Sequence, residues 1–222
     1  MKAGSSSRKA GENLLACFAL KEEAAPFRKI AAGKSGVDIL LTGVGRRNAE
    51  KSVREFLTTN LPDLVLTCGF AGGLNPELKL GDVLFEIGNR KSEIGNQIVA
   101  AGAKPAKFFC ADRVAISIAD KKKLRAETGA DAVEMESEAI RTVCRECGIQ
   151  CATVRVISDT AHEDLPLDFN VLAKPDKSLD YGKLILAVAK SPGKTRGLLR
   201  LQKNCRFAAE RLAGVLMKII LL

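Results

Sequence analysis

Apolar residues along the chain gather into short continuous runs separated by glycine turns and by stretches of helical spacing. The runs Asn13–Ala19, Val37–Thr42, Leu64–Cys68, Val83–Ile87 and Gln150–Ile157 are too short for helices and predict strands. Asn13–Ala19 and Leu64–Cys68 read as buried strands. Between the second and third, Ala49, Val53, Phe56 and Leu57 recur at helical spacing over Arg46–Leu57. The order is strand, glycine turn, helix, strand, which is the grammar of an α/β fold with a mostly parallel sheet.

Further along, Ala119–Ala126 reads as a charged, exposed helix and Met135–Cys147 as an amphipathic one. A third helix is expected over Leu179–Ala189, then a break at Ser191-Pro192-Gly193, then a basic helix or helix pair to the end. Residues 88–108 show no pattern that assigns an element. Residues 1–12 (MKAGSSSRKAGE) read as a flexible leader, 13–189 as one catalytic domain and 190–222 as a basic amphipathic helical segment.

Composition changes this picture in one place. The formal charge is +9, and 190–222 holds eight Lys and Arg against Glu210 alone, so +7 of it lies at one end. The body is nearly neutral, and the charge says little about the chemistry done there. Nucleic acid is a poor partner for the tail, whose one aromatic is Phe207. Leu198, Leu199, Leu201, Phe207, Leu212, Val215, Leu216, Ile219 and Ile220 alternate with the basic residues, which suits either an anionic lipid surface or packing on the sheet. Seven cysteines, mostly in apolar runs, suggest free thiols in a reducing cytoplasm, with peripheral contact at the inner membrane if the tail binds lipid. Cys144 and Cys147 form a C-x-x-C pair, yet no second pair follows and His162 is the sole histidine, so no metal site is expected. Leu14-Leu15-Ala16-Cys17 has the form of a lipoprotein cleavage box without the apolar stretch that should precede it, and a strand is expected there.

In an open α/β sheet, ligands bind beyond the carboxyl ends of the strands. Gly43-Val44-Gly45 followed by Arg46-Arg47 would hold an anion there, or simply make a tight turn. Gly69-Phe70-Ala71-Gly72-Gly73 brings backbone close to a ligand or to a crossing segment. With a helix beginning at Met135, Glu136 shares the apolar face of Ile140, Val143 and Cys147, so its carboxylate is paired, wanted for chemistry, or placed for the helix dipole. Asp159 closes a strongly apolar strand, as an acid or as a cap.

These motifs in this order resemble the nucleoside phosphorylase/nucleosidase superfamily. The matching segments are Ala19-Leu20-Lys21-Glu22-Glu23, Thr42-Gly43-Val44-Gly45, Cys68 to Leu74 with Gly81-Asp82, Val133-Glu134-Met135-Glu136-Ser137, and Val154-Arg155-Val156-Ile157-Ser158-Asp159. Leu165-Pro166 and the basic tail are similar to the hopanoid-associated branch, which is linked with removing adenine from adenosylhopane. The resemblance implies a single-domain three-layer sandwich with a mixed, mostly parallel central sheet. It also implies cleavage of the bond between ribose and a purine base, in a homo-oligomer, without a cofactor other than phosphate as a candidate co-substrate.

On that resemblance Asp159 is the general acid and Glu136 holds the ribose hydroxyls, with Met135 lining the sugar. Glu23, or Glu22 if the loop is shifted, positions water, and Ser158 steers the acid. Val114 stands where the family stacks the base, and Phe70, Ala71 and Gly72 complete the base and nucleophile pocket. Gly45, Arg46 and Arg47 are the candidates for phosphate. Thr67 and Phe70 occupy the positions where phosphorylases of the family place an arginine and a hydroxyl, which favours water, whereas Arg46 and Arg47 could compensate. A methylthioadenosine/adenosylhomocysteine-type nucleosidase is the alternative enzyme. A non-catalytic nucleoside-binding module is the alternative of another class, and would have no need of both Glu136 and Asp159.

Overall fold

The period-two alternation of β1 (Leu14–Phe18) sets the layers. Ala16 and Phe18 face one core together with Phe27, Leu66, Val154 and Leu212, whereas Leu15 and Cys17 face the other with Val53, Val65, Ile140 and Val143. A strand buried on both faces must be apolar throughout, which is why β1 shows no polar alternation. The computed structural model describes residues 13–88, 93–172, 193 and 195–222.

The main path of the sheet runs β2-β1-β3-β8-β4-β5. Here β2 is Val37–Leu41, β3 Leu64–Gly73, β4 Val83–Ile87, β5 Lys104–Pro105 and β8 Gln150–Asp159. The pairs β1–β2, β1–β3 and β3–β8 are parallel and β4–β8 is antiparallel, so the sheet is mixed and mostly parallel, as expected. A single helical turn, α6 (Phe169–Leu172), follows β8 in the chain. Helices α1 (Lys21–Ala31) and α7 (Thr195–Leu221) contribute to the first core, and α2 (Arg46–Leu57) and α5 (Ser137–Glu146) to the second. The result is a single-domain three-layer α/β sandwich.

One irregularity builds the site. The register of β3 against β8 shifts between Ala71 and Gly72, and Gly72 and Gly73 then pair with Val133 and Ala132 of β7 (Ala132–Glu134). This bulge bends β3 away from its neighbour. It draws the segment Glu134-Met135-Glu136 toward the carboxyl end of β8, where Asp159 lies.

Several expectations are corrected. Helix α1 was not foreseen: its charged sequence includes Pro26, and Glu23, Ala24, Phe27 and Ala31 are its buried residues. Within 88–108 the chain forms α3 (Glu93–Ala100), β5 and the start of β6 (Phe108–Cys110). The charged helix is longer, α4 (Ile118–Thr128), and is not wholly exposed, because Lys121 is fully buried. Helix α5 starts at Ser137, with Glu136 as its N-cap, and Cys147 faces solvent instead of sharing the apolar face. The expected leader 1–12, the helix Leu179–Ala189, and Ser191 and Pro192 of the expected break lie outside the described residues. In α7, Leu212, Val215, Leu216 and Ile219 are buried in the protein, so packing on the body claims that part of the stripe. Leu199 and Phe207 remain exposed. Among the described residues no helix is long and apolar enough to cross a membrane.

Candidate active site

A cavity of about 190 Å³ opens at the carboxyl ends of β1, β3 and β8. Glu23, Phe70, Ala71, Gly72, Val114, Met135, Glu136, Ser158 and Asp159 all line it, with Leu20 and Leu165 among the apolar residues beside them. Nine of the twelve expected site residues thus meet in one place. A larger cavity of about 440 Å³, beside Glu86, Arg141, Arg145 and Cys151, contains none of them. Glu22 is exposed and Glu23 buried, which settles which of the two faces inward.

Glu23 stands at the third position of α1, where its carboxylate can turn back on the helix N-terminus. Oε2 accepts the Leu20 N–H at 3.0 Å and Oε1 accepts the Phe70 N–H at 2.9 Å. Burial pushes its carboxyl up to about 7, against the pull of Arg155 and of the Phe70 N–H. Gly69 makes this approach feasible: a Cβ there would stand 2.6 Å from Arg155 Nη1 and 2.8 Å from Glu23 Oε1, and its φ of +144° suits glycine.

Arg155, to which the sequence motif assigns no role, organises the floor of the site. It is 1% exposed, and its Nη2 donates to Glu134 Oε2 at 2.7 Å and to Thr67 Oγ1 at 3.1 Å, with Glu136 Oε2 at 3.3 Å. The available signal was a single cation inside the apolar run Thr153–Ile157, since a buried charge demands buried partners. Burial works against its charge, yet Glu134, Glu136 and Glu23 hold the guanidinium above its ordinary range.

Glu134 is the structural member of this group. It accepts the backbone N–H groups of Glu136 and Ser137 and the Ser137 hydroxyl, closing the N-terminus of α5. Burial opposes its ionisation, but Arg155 and these donors hold its carboxyl below the usual range. Glu136 is displaced the other way: burial pushes it up, Arg155 pulls against that, and the Glu134 charge adds to the rise. Two carboxylates two residues apart therefore differ in character because one takes most of the donors.

Asp159 is 8% exposed and held on both oxygens. Ser158 Oγ donates to Oδ1 at 2.8 Å, and Lys121 Nζ lies 2.7 Å from Oδ2. Nothing in the sequence marked Lys121, which sits in the run Lys121-Lys122-Lys123.

The phosphate candidates do not face the cavity. The Gly45 N–H donates to Glu136 Oε1 at 2.8 Å, so the glycine turn binds a protein carboxylate where an external anion was expected. Arg46 turns toward the Cys110 carbonyl, Asp112 Oδ1 at 3.4 Å and Glu138 Oε2 at 3.1 Å, and Arg47 is exposed on α2. Arg113 is the cation among the lining residues, at the exposed rim. The backbone of Val114 is also engaged: its N–H donates to Asn170 Oδ1 at 2.8 Å and its carbonyl accepts from Asn170 Nδ2 at 3.0 Å. Among the described residues no group of three or more His, Cys, Asp or Glu side chains is arranged to hold a metal ion.

Fold and site together define an α/β protein with a carboxylate-lined small-molecule pocket at its strand ends. A family model described as the phosphorylase superfamily matches residues 102–189. The 5'-methylthioadenosine/S-adenosylhomocysteine nucleosidase of Shewanella halifaxensis is 26% identical over 176 residues, covering 64% of this chain and 76% of the relative. Among solved structures, the futalosine hydrolase of Helicobacter pylori strain 26695 superposes with a TM-score of 0.70 at 17% identity, over 95% of this chain and 97% of that one. The 5'-methylthioadenosine/S-adenosylhomocysteine nucleosidase of Neisseria meningitidis, in complex with methylthio-immucillin-A, gives 0.70 at 17% identity, over 94% and 98%. Residues 102–189 are thus similar to the phosphorylase superfamily, and the whole chain shares the fold of these nucleoside hydrolases.

Proposed function

We propose that this protein hydrolyses the N-glycosidic bond of adenosine-type purine nucleosides. The observation that carries the reading is the convergence of Glu23, Glu136 and Asp159 on one cavity that neither Arg46 nor Arg47 lines. Breaking the bond leaves positive charge on the ribose ring and negative charge on the departing base. Glu136 accepts hydrogen bonds from the ribose hydroxyls and, with Glu23 beside it, favours the cationic sugar in a site sheltered from water. Met135 packs against the sugar. Asp159, steered by Ser158, delivers a proton to a purine ring nitrogen. Glu23, with a carboxyl near 7, takes the proton of a water that attacks the anomeric carbon.

Water is preferred to phosphate on electrostatic grounds. A phosphate placed among these carboxylates would meet repulsion; Arg46 is held by Asp112 and Glu138, Arg47 is exposed and outside the lining, and Arg113 stands at the exposed rim. The names of the curated relatives put methylthioadenosine and adenosylhomocysteine first in a substrate panel. The resemblance of Leu165-Pro166 and the tail puts adenosylhopane beside them. The test is release of free base from this panel; no release from any member would overturn the reading.

A further inference from the structure

Lys121 is buried completely, although Lys122 and Lys123 next to it are exposed on the same helix. Its stem carries the ammonium from α4 to the end of β8. There Nζ lies 2.7 Å from Asp159 Oδ2, 2.7 Å from the Thr160 carbonyl and 2.9 Å from the Glu163 carbonyl. Three N–H donors meet three acceptors. Packing does not call for this arrangement, because methionine or leucine would fill the volume without the desolvation that a buried ammonium suffers. The charge is spent on Asp159, the residue that faces the cavity.

At 2.7 Å the ammonium and the carboxylate lie on one short hydrogen bond, along which a proton can pass from Nζ to Oδ2. Resting on the proposed hydrolysis, we infer that Lys121 and Asp159 work as one acid, in which Lys121 is the positioning residue and stores the proton that Asp159 hands to the departing base. As the C1′–N bond breaks, the base keeps the electron pair and takes the Asp159 proton. The Nζ–H bond breaks as a new Oδ2–H bond forms, so the transfer leaves a carboxylate and a neutral amine. Solvent returns a proton to the amine once the base has left. The other groups facing this pair are Ser158 on β8, Glu163 with its partner Arg200, and the half-buried thiol of Cys205 on α7. None of them offers Asp159 a second ammonium.

The test compares two leaving groups at two pH values. A purine must be protonated to leave, whereas the nitrophenolate of p-nitrophenyl β-D-ribofuranoside leaves without a proton. In Lys121→Met, Asp159 has to draw its proton from solvent. Purine-nucleoside kcat relative to wild type should fall about 100-fold at pH 8 and recover most of that at pH 5. KM and nitrophenyl riboside turnover should stay within about threefold of wild type at both values. Lys121→Gln, which keeps hydrogen-bond donors for the two carbonyls but has no proton to store, should behave alike and serves if the Met variant does not fold. Equal losses on both substrates, a loss independent of pH, or no loss would overturn the inference. A wild-type protein inert toward both substrates would overturn the proposed hydrolysis itself.

Discussion

Replacing Glu23 with glutamine separates the catalytic value of this carboxylate from its cost to the fold. The side chain is 4% exposed, and burial raises its carboxyl from an ordinary 4.5 to about 7. The folded protein therefore binds a proton there more tightly than the unfolded chain. That stabilisation is complete below about pH 4.5 and is lost as pH rises through about 7. The displacement corresponds to roughly 3 kcal/mol at 1.36 kcal/mol per pH unit. Glutamine does not titrate, and its carbonyl still accepts one of the two N–H groups that Glu23 binds. Urea unfolding should find Glu23→Gln close to wild type at pH 5 and about 3 kcal/mol more stable at pH 8. Turnover of an adenosine-type nucleoside should fall at least about 100-fold in the same variant, and wild-type kcat/KM should rise with pH to a plateau entered near 7. A stability difference that is the same at both pH values, or a variant that keeps wild-type turnover, would refute the reasoning.

Other substitutions probe the rest of the site. Glu136→Gln removes negative charge from the place proposed for the ribose and should lower kcat about 100- to 1,000-fold with a smaller change in substrate binding, measured by initial rates and by calorimetry. Arg155→Met leaves Glu134, Glu136 and Glu23 without their shared cation, and should cost about 3–5 kcal/mol in urea unfolding at pH 8, with a smaller loss at pH 5, where protonation relieves the buried carboxylates. Arg46→Ala should leave turnover within about twofold of wild type whether or not phosphate is present, because its side chain faces Asp112 and Glu138.

The sequence revealed much of this fold because its central strands are buried on both faces. The apolar runs at Leu14–Phe18, Leu64–Cys68 and Gln150–Ile157 can hardly sit anywhere but in a covered parallel sheet. Helix α1 was hidden because a proline interrupts its interior and few of its positions need to be apolar. The carboxylates of the site were visible for a simple reason: Glu136 and Asp159 border apolar segments where an unpaired charge is costly. Their partners were harder to find. Lys121 looks like any solvated lysine, and only the folded path of α4 over the end of β8 brings it to Asp159. The link from Asn170 to Val114 spans 56 residues and rests on an ordinary amide. Arg46 shows the opposite failure: next to a glycine turn it suggested an anion site, but local acids outside the cavity hold it.

The central claim is that water, activated in a carboxylate-lined cavity, replaces the base on the anomeric carbon. It is tested most directly by identifying the sugar product of an adenosine-type nucleoside in matched buffers with and without phosphate. Free sugar should form in step with free base, at the same rate in both. A sugar 1-phosphate, formed only when phosphate is supplied, would contradict the account.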